Sequence, residues 1–310
     1  LCAVPHDNGA ECLCTGGVKK EKLVAMADTK RIKQSIYFWI FRAMSMTVVF
    51  ILLAILYFIV SRGIGVINWD FLTKAPEDGM VKGGIFPAIV GTLCLIAGSL
   101  IFAFPIGVFS AIYLNEYMKK GRVKSFLQLM TNNLAGVPSV VFGLFGMALF
   151  VNKLKFGDSI IAGSLTLGLL VLPVIIRTTE EALKAVDDNY RLASYAMGAS
   201  KLYTIKKVIL PIALPDIITG LILSIGRVSG ETAPILFTVA AYFLPKLPHS
   251  IFDQVMALPY HLYVLATSGT NIEAARPVAF GTALVLVMIV LFTNIIANVV
   301  RAYYNKKYKK

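Results

Sequence analysis

Arg227 and Glu231 are the residues of this sequence whose types most demand an explanation. They stand in ILSIGRVSGETAPILF (222–237), a run that is otherwise apolar or small. An arginine at mid-bilayer costs at least ~2.5–3.5 kcal/mol on insertion scales, so such a charge needs a use. The i, i+4 spacing would put Arg227 and Glu231 on one helical face, where they could partly neutralise each other. Gly226-x-x-x-Gly230, with Ser224 and Gly220 below it, would let another backbone approach closely. The planar guanidinium suits bidentate binding of an oxyanion. The alternative is an ion pair that only fixes helix packing.

A second charge cluster, Arg177-Thr178-Thr179-Glu180-Glu181, closes another apolar run. Arg177 fits either an anion path or ordinary basic flanking of a membrane span, and Lys184, Arg191 and Lys201 fit the same flanking rule. Other chemistries lack their residues. The chain has no G-x-x-x-x-G-K-[ST] to cradle a nucleotide and no G-x-S-x-G elbow. His6, His249 and His261 are scattered and form no H-E-x-x-H. This is not a self-contained enzyme; energy must come from a gradient or from another polypeptide.

The elements that position these charges follow from composition. Of 310 residues, 57% are hydrophobic and 15% charged, and the mean hydropathy is +0.74. A soluble domain is less apolar and more charged, and disorder needs the opposite balance. The net charge of +13 could suggest nucleic acid, but the basic residues flank apolar runs rather than form a soluble basic surface. The sequence reads as an all-α polytopic membrane protein with six spans. They are placed at Ala43–Val60, Ile85–Leu114, Phe126–Val151, Ser159–Ile176, Ile217–Phe243 and Pro277–Val300. Pro87 and Pro105 predict a kink or tilt in the second.

With the N-terminus inside, segments 1–42, 115–125, 177–207 and 301–310 hold 22 of the 30 basic residues. The outer segments 61–84, 152–158 and 244–276 hold 7, and Arg227 lies within a span. That bias makes both termini cytoplasmic. Residues 26–42 are then a cytoplasmic lead-in, 61–84 an extracytoplasmic segment and 301–310 a basic tail. Residues 1–25 lack an apolar signal core and read as an upstream leader, with Met26 the expected start. Cys2, Cys12 and Cys14 in that stretch lack a second pair at zinc spacing. Cys94 is a small apolar residue within a span.

The inner segment 177–207 reads as helix, turn, helix, with Gly198 closing the first helix. Leu192, Ala193, Ala196 and Met197 give its surface an apolar face that suits a partner's groove, or a lipid surface.

These residues resemble those of PstA-type permease subunits of bacterial phosphate ABC importers, from about Gly83 to the C-terminus. Type I ABC permeases share E-A-A-x-x-x-G followed, after nine residues, by I-x-L-P. Here that register holds Leu192-Ala193-Ser194, Gly198 and Val208-Ile209-Leu210-Pro211. Leu192 replaces the Glu and Ser194 the second Ala. GGIFPAIVGT (83–92), PIGVFSAIYLNEY (105–117), GVPSVVFGLFG (136–146), LPVIIRTTEEAL (172–183) and GRVSGETAPILFT (226–238) resemble the same family in order. Asp187 stands where relatives often have Pro, a change expected to affect only a loop's stiffness.

The resemblance implies the type I importer permease fold, with residues 85–300 as its core, in a prokaryotic inner membrane. It implies a heterodimer with a PstC-like sister permease, a PstB-like ATPase dimer and a PstS-like phosphate-binding protein. It places Arg177 and Arg227, with Glu231, on the phosphate path. Leu192, Ala193, Ser194, Gly198, Ala199 and Lys201 would dock the ATPase. No cofactor is expected in this chain; ATP and Mg belong to the partner ATPase. Sulfate or molybdate as the anion, and a gradient-driven secondary transporter, remain the alternatives.

Overall fold

The structure is a computed structural model that describes residues 15–80, 82–267 and 272–308. The expectations for Cys2, Cys12 and Cys14 and for most of the leader lie outside the described residues. The chain divides at Phe58 into two units. The described residues of the first belong to one long helix, α1 (Thr15–Gly63), and the stretch Gln34–Val66, which runs past its end, is apolar enough to span a membrane.

The second unit opens with α2 (Trp69–Thr73) and a two-stranded hairpin, β1 (Pro76–Glu77) paired with β2 (Lys82–Gly83). Then come α3 (Phe86–Ile112), α4 (Arg122–Ala135), α5 (Ser139–Gly146) and α6 (Ile160–Lys184). Two short helices follow, α7 (Asp188–Ala196) and α8 (Lys201–Thr204), then α9 (Leu210–Gly230) and α10 (Ala233–Leu236). The last two are α11 (Leu258–Thr267) and α12 (Ile272–Tyr308). Three π-helical segments, Tyr113–Tyr117, Met147–Lys153 and Ile205–Ile209, extend α3 and α5 and lead into α9.

Among the described residues five helical stretches are long and apolar enough to cross a membrane, and a bent pair would make a sixth if its two halves form one span. The expected third span is that pair. Residues Arg122–Ala135 and Ser139–Lys153 meet at 98° instead of running on as one rod. The cause is local, because Pro138 cannot donate an amide hydrogen bond and clashes with a preceding helical turn. The expected fifth span is displaced. It runs Lys201–Gly230, and residues 231–243 hold α10, turns and the bridge of Ala240 to Val255. Pro87 sits harmlessly in the first turn of α3, while Pro105 lies inside it.

Helix α6 is the hub of the second unit. Its Leu167, Leu170, Val171 and Ile175 share a core with Leu95, Ile96 and Ala103 of α3 and with Ile225 and Val228 of α9. Nearer its C-terminus, Ala182 and Leu183 pack with Ile209, Ala213 and Ile217. The start of α9 therefore lies by the end of α6 and its end by the middle of α6, so the two run antiparallel. Lipid supplies no hydrophobic drive between spans, and close packing has to replace it. Gly220 answers that need: a Cβ there would overlap Thr178 of α6. A separate cluster joins Phe71, Met80 and Ile85 to Leu258, Val264, Leu265 and Val285.

Candidate functional site

Arg227 lies in the last turn of α9 and is not at the middle of a span. A cation there is favoured by the negative end of the helix dipole, by about 0.3–1 kcal/mol when exposed. Glu231 is not on the same helical face, because the helix ends at Gly230 and Glu231 is extended, with ψ 125°. Its carboxylate folds back nonetheless, and Arg227 Nε stands 3.6 Å from Glu231 Oε1. That is an ion pair but too long for a hydrogen bond. Arg227 Nε is buried and has no hydrogen-bond partner. A donor in that state gains from any acceptor that reaches it.

The small-residue surface around the pair is only half used. Gly220 and Ser224 are packed within the fold, but a Cβ added at Gly226 or Gly230 would meet nothing within 4 Å. That side of the helix end is open in this chain.

Arg177 lies about two turns from the end of α6 and is exposed. Its Nε donates to Glu181 Oε1 at 3.3 Å and its Nη1 to Asn132 Oδ1 of α4 at 3.2 Å. Next to it, the nearly buried Glu180 accepts from Gln128 Nε2 at 3.2 Å and pairs with Lys184 Nζ at 3.5 Å. A cavity of about 220 Å³ between α4 and α6 is lined by these groups together with Leu114, Thr131 and Ile176. Two cations face two carboxylates there, so the cavity is polar without a net charge.

Arg177 and Arg227 have different partners. Gly220 marks the level of Thr178 on α6, and Arg227 lies seven residues beyond it, about 10 Å along the axis. They are two separate cationic positions along the α6–α9 pair.

The third set is on α7 and α8. Asp187 caps α7 by accepting from Asn189 N at 2.9 Å, which explains an acid where a loop residue was expected. Gly198, at φ 79°, ends α7. Gly198 N donates to Tyr195 O at 2.9 Å and Ala199 N to Ser194 O at 3.1 Å, the paired bonds of a left-handed helix stop. Leu192, Ala193, Ala196 and Met197 are exposed, Met197 at 88%. A groove of about 680 Å³ runs along Ala193, Ser194, Gly198, Ala199 and Tyr203. Ser194 faces inward, its Oγ 2.8 Å from Thr204 Oγ1.

Sequence reasoning missed two groups. Arg191, read as flanking charge, is largely buried and pairs with Glu116 at 2.9 Å. His261 of α11 is 2% exposed, and neither ring nitrogen has a hydrogen-bond partner. Burial pushes its imidazole down to about 4. No spacing signal marks either one, since a contact across 75 positions and a burial both depend on tertiary packing. Among the described residues no group of His, Cys, Asp and Glu could hold a metal ion.

Comparisons with known proteins agree with this architecture. Residues 103–310 match the family model of the binding-protein-dependent transport system inner membrane component. The phosphate transport system permease protein PstA of Mycobacterium leprae is 38% identical over 284 residues, covering 90% of this chain and 91% of that protein. A probable ABC transporter permease protein, YqgI of Bacillus subtilis, is 34% identical over 260 residues, 80% of this chain and 88% of its own length. A crystal structure of a bacterial alginate ABC transporter aligns with TM-score 0.57 at 17% identity, over 89% of this chain and 95% of the matched one, and shares the fold. A multi-pass chain with these helices and these relatives belongs to the inner-membrane components of binding-protein-dependent transport systems, among the PstA-type permeases.

Proposed function

We propose that this chain is the membrane-spanning subunit of an ATP-driven importer of inorganic phosphate and forms the translocation path with a PstC-like sister permease. The observation that carries the reading is Arg227, whose buried Nε lacks an acceptor beside an open helix end. Relatives over nine-tenths of the chain that bear the phosphate-transport name support the choice of anion.

A phosphate oxygen arriving at that end would take the bond that Glu231 is too distant to accept. Glu231 keeps the charge balanced while the path is empty and competes with the anion, so release stays possible. Arg177 and its polar cavity form a second station about 10 Å further along the pair. A PstB-like ATPase dimer, which carries ATP and Mg, docks on the α7–α8 groove. Both chain termini lie on that same, cytoplasmic side. A PstS-like protein delivers phosphate to the opposite face.

The test is uptake by vesicles that hold the complete complex, with binding protein and radiolabelled phosphate on one side and ATP on the other. ATP-dependent phosphate accumulation is expected. Uptake without ATP would overturn the reading in favour of a gradient-driven carrier. Import of sulfate or molybdate in preference to phosphate would replace the anion.

A further inference from the structure

We propose that Arg191 and Lys201 fasten the α7–α8 segment to the π-helical end of α3, Tyr113–Tyr117, which thereby receives the ATPase stroke directly. The inference rests on the ATPase docking reading above and names the element to which the docked segment is tied.

Both terminal nitrogens of the Arg191 fork are bonded within this chain. Its Nη2 donates to Glu116 Oε1 at 2.9 Å and to Leu183 O at 2.8 Å. Its Nη1 donates to Val186 O at 2.8 Å and to Asp188 Oδ1 at 2.9 Å. The side chains of Arg191 and Glu116 are only 14% and 6% exposed. One planar group thus joins the end of α6, the start of α7 and the end of α3. A basic residue kept for lipid headgroups would point outward instead. A lysine has neither the planar fork nor the reach to two elements at once.

A second cation reaches the neighbouring residue from the other short helix. Lys201 Nζ sits 4.8 Å from the centroid of the Tyr117 ring. The bond between Ser194 and Thr204 ties α7 to α8, and Thr204 is fully buried, so both anchors belong to one body. The receiving segment is a π turn, a form frequent at functional positions. It continues α3, which shares the core of α6. A push on α7 therefore meets α3 at Glu116 and Tyr117 and meets α6 at Leu183 and Val186. Arg191 is a positioning residue in this scheme and touches no substrate.

The experiment uses the complete complex with its sister permease and ATPase. Amide exchange is measured with and without a non-hydrolysable ATP analogue, and ATP consumed per phosphate imported is measured in vesicles. In the wild type, nucleotide should change exchange in both Asp188–Ala196 and Tyr113–Tyr117. In Glu116→Gln and Arg191→Lys the change should stay in α7 and vanish from Tyr113–Tyr117. ATP per phosphate should rise about tenfold, the size of an ordinary coupling loss. Persistence of the change at Tyr113–Tyr117, or unaltered coupling, overturns the proposal. If those variants fail to assemble, Tyr117→Leu decides by the same two readouts, since Tyr117 is 45% exposed and its loss strands no buried charge. A wild-type complex that imports no phosphate would fail the functional reading alone, because the exchange response does not depend on the anion.

Discussion

At Arg227 the distinction between a path residue and a packing residue comes down to where the charge stands. Arg227→Gln should abolish phosphate uptake while the complex still assembles, because the helix end keeps its shape and loses only the cation. Arg227→Lys keeps the charge without the fork: partial uptake would mark a field effect, and none would mark bidentate contact. Exchanging the pair, Arg227→Glu with Glu231→Arg, moves the cation off the helix to an extended residue. A structural pair survives that exchange, whereas near-normal uptake by the exchanged protein would sink the path assignment. His261 makes a different prediction. Burial holds its ring neutral down to about 4, while an unfolded imidazole takes a proton near 6.5. Above pH 6.5 both states are neutral and nothing is lost. Between 6.5 and 4 only the unfolded state binds the proton, so stability falls with pH, by on the order of 3 kcal/mol in all. The melting temperature of the detergent-purified protein should drop more steeply over that window than that of His261→Gln. Arg227 was legible as a costly type in an apolar run, and Arg177 only as one that fits a path or ordinary flanking. Arg191 was not, because its worth lies in Glu116, 75 positions away.

At the scale of elements, turns decide the function assigned to α7. An added Cβ at Gly198 would touch nothing within 4 Å, so a substitution there is penalised by its left-handed backbone alone, about 1–2 kcal/mol. Gly198→Val should therefore raise ATP consumption per phosphate without harming membrane insertion, and Gly198→Asn, which tolerates φ > 0, should stay near wild type. Equal coupling in both would remove the turn from the coupling scheme. Gly220 and Gly226 make a second contrast along α9. Alanine at Gly220 overlaps Thr178, whose hydroxyl is tied to Val174 O at 2.9 Å, and should lower stability by about 1–3 kcal/mol. Alanine at Gly226 meets open space within the helix and should leave the melting temperature of the purified chain unchanged or slightly raised, never lowered. The sequence showed the small residues at Gly220, Ser224, Gly226 and Gly230 but not which of them the fold had already covered. It also carried the breaks, in Gly136-Val137-Pro138 and in Glu231-Thr232-Ala233-Pro234, yet hydropathy runs straight through both. Apolar length alone therefore moved the fifth span towards the C-terminus and straightened the third.

For the whole molecule, everything assigned to a side of the membrane depends on the bent pair. The portion Ser139–Lys153 has 15 residues, about 22 Å of helix, and Arg122–Ala135 has 14, about 21 Å. Neither alone covers a hydrocarbon core of about 30 Å. If the two together make one crossing, the chain has six crossings and both termini share a side. If they dip in and return, it has five and the termini are opposed. The basic residues favour six. Lys119, Lys120, Arg122 and Lys124 cluster at the start of the pair, whereas Lys153 and Lys155 alone stand at its end before α6, and the richer group belongs inside. The α7–α8 segment and the tail after Val300 then lie on the same side as the loop at Lys119. Single cysteines at Lys120, Lys155 and Lys306, placed in a chain whose Cys2, Cys12, Cys14 and Cys94 are all replaced by alanine, check this with a membrane-impermeant maleimide. Lys120→Cys and Lys306→Cys should label only from the cytoplasmic side and Lys155→Cys only from outside. Labelling of Lys120→Cys and Lys155→Cys from one side would make the pair re-entrant. It would also leave Arg191 and the loop at Lys155 facing the wrong compartments for an ATPase and a binding protein to act from opposite sides of one path.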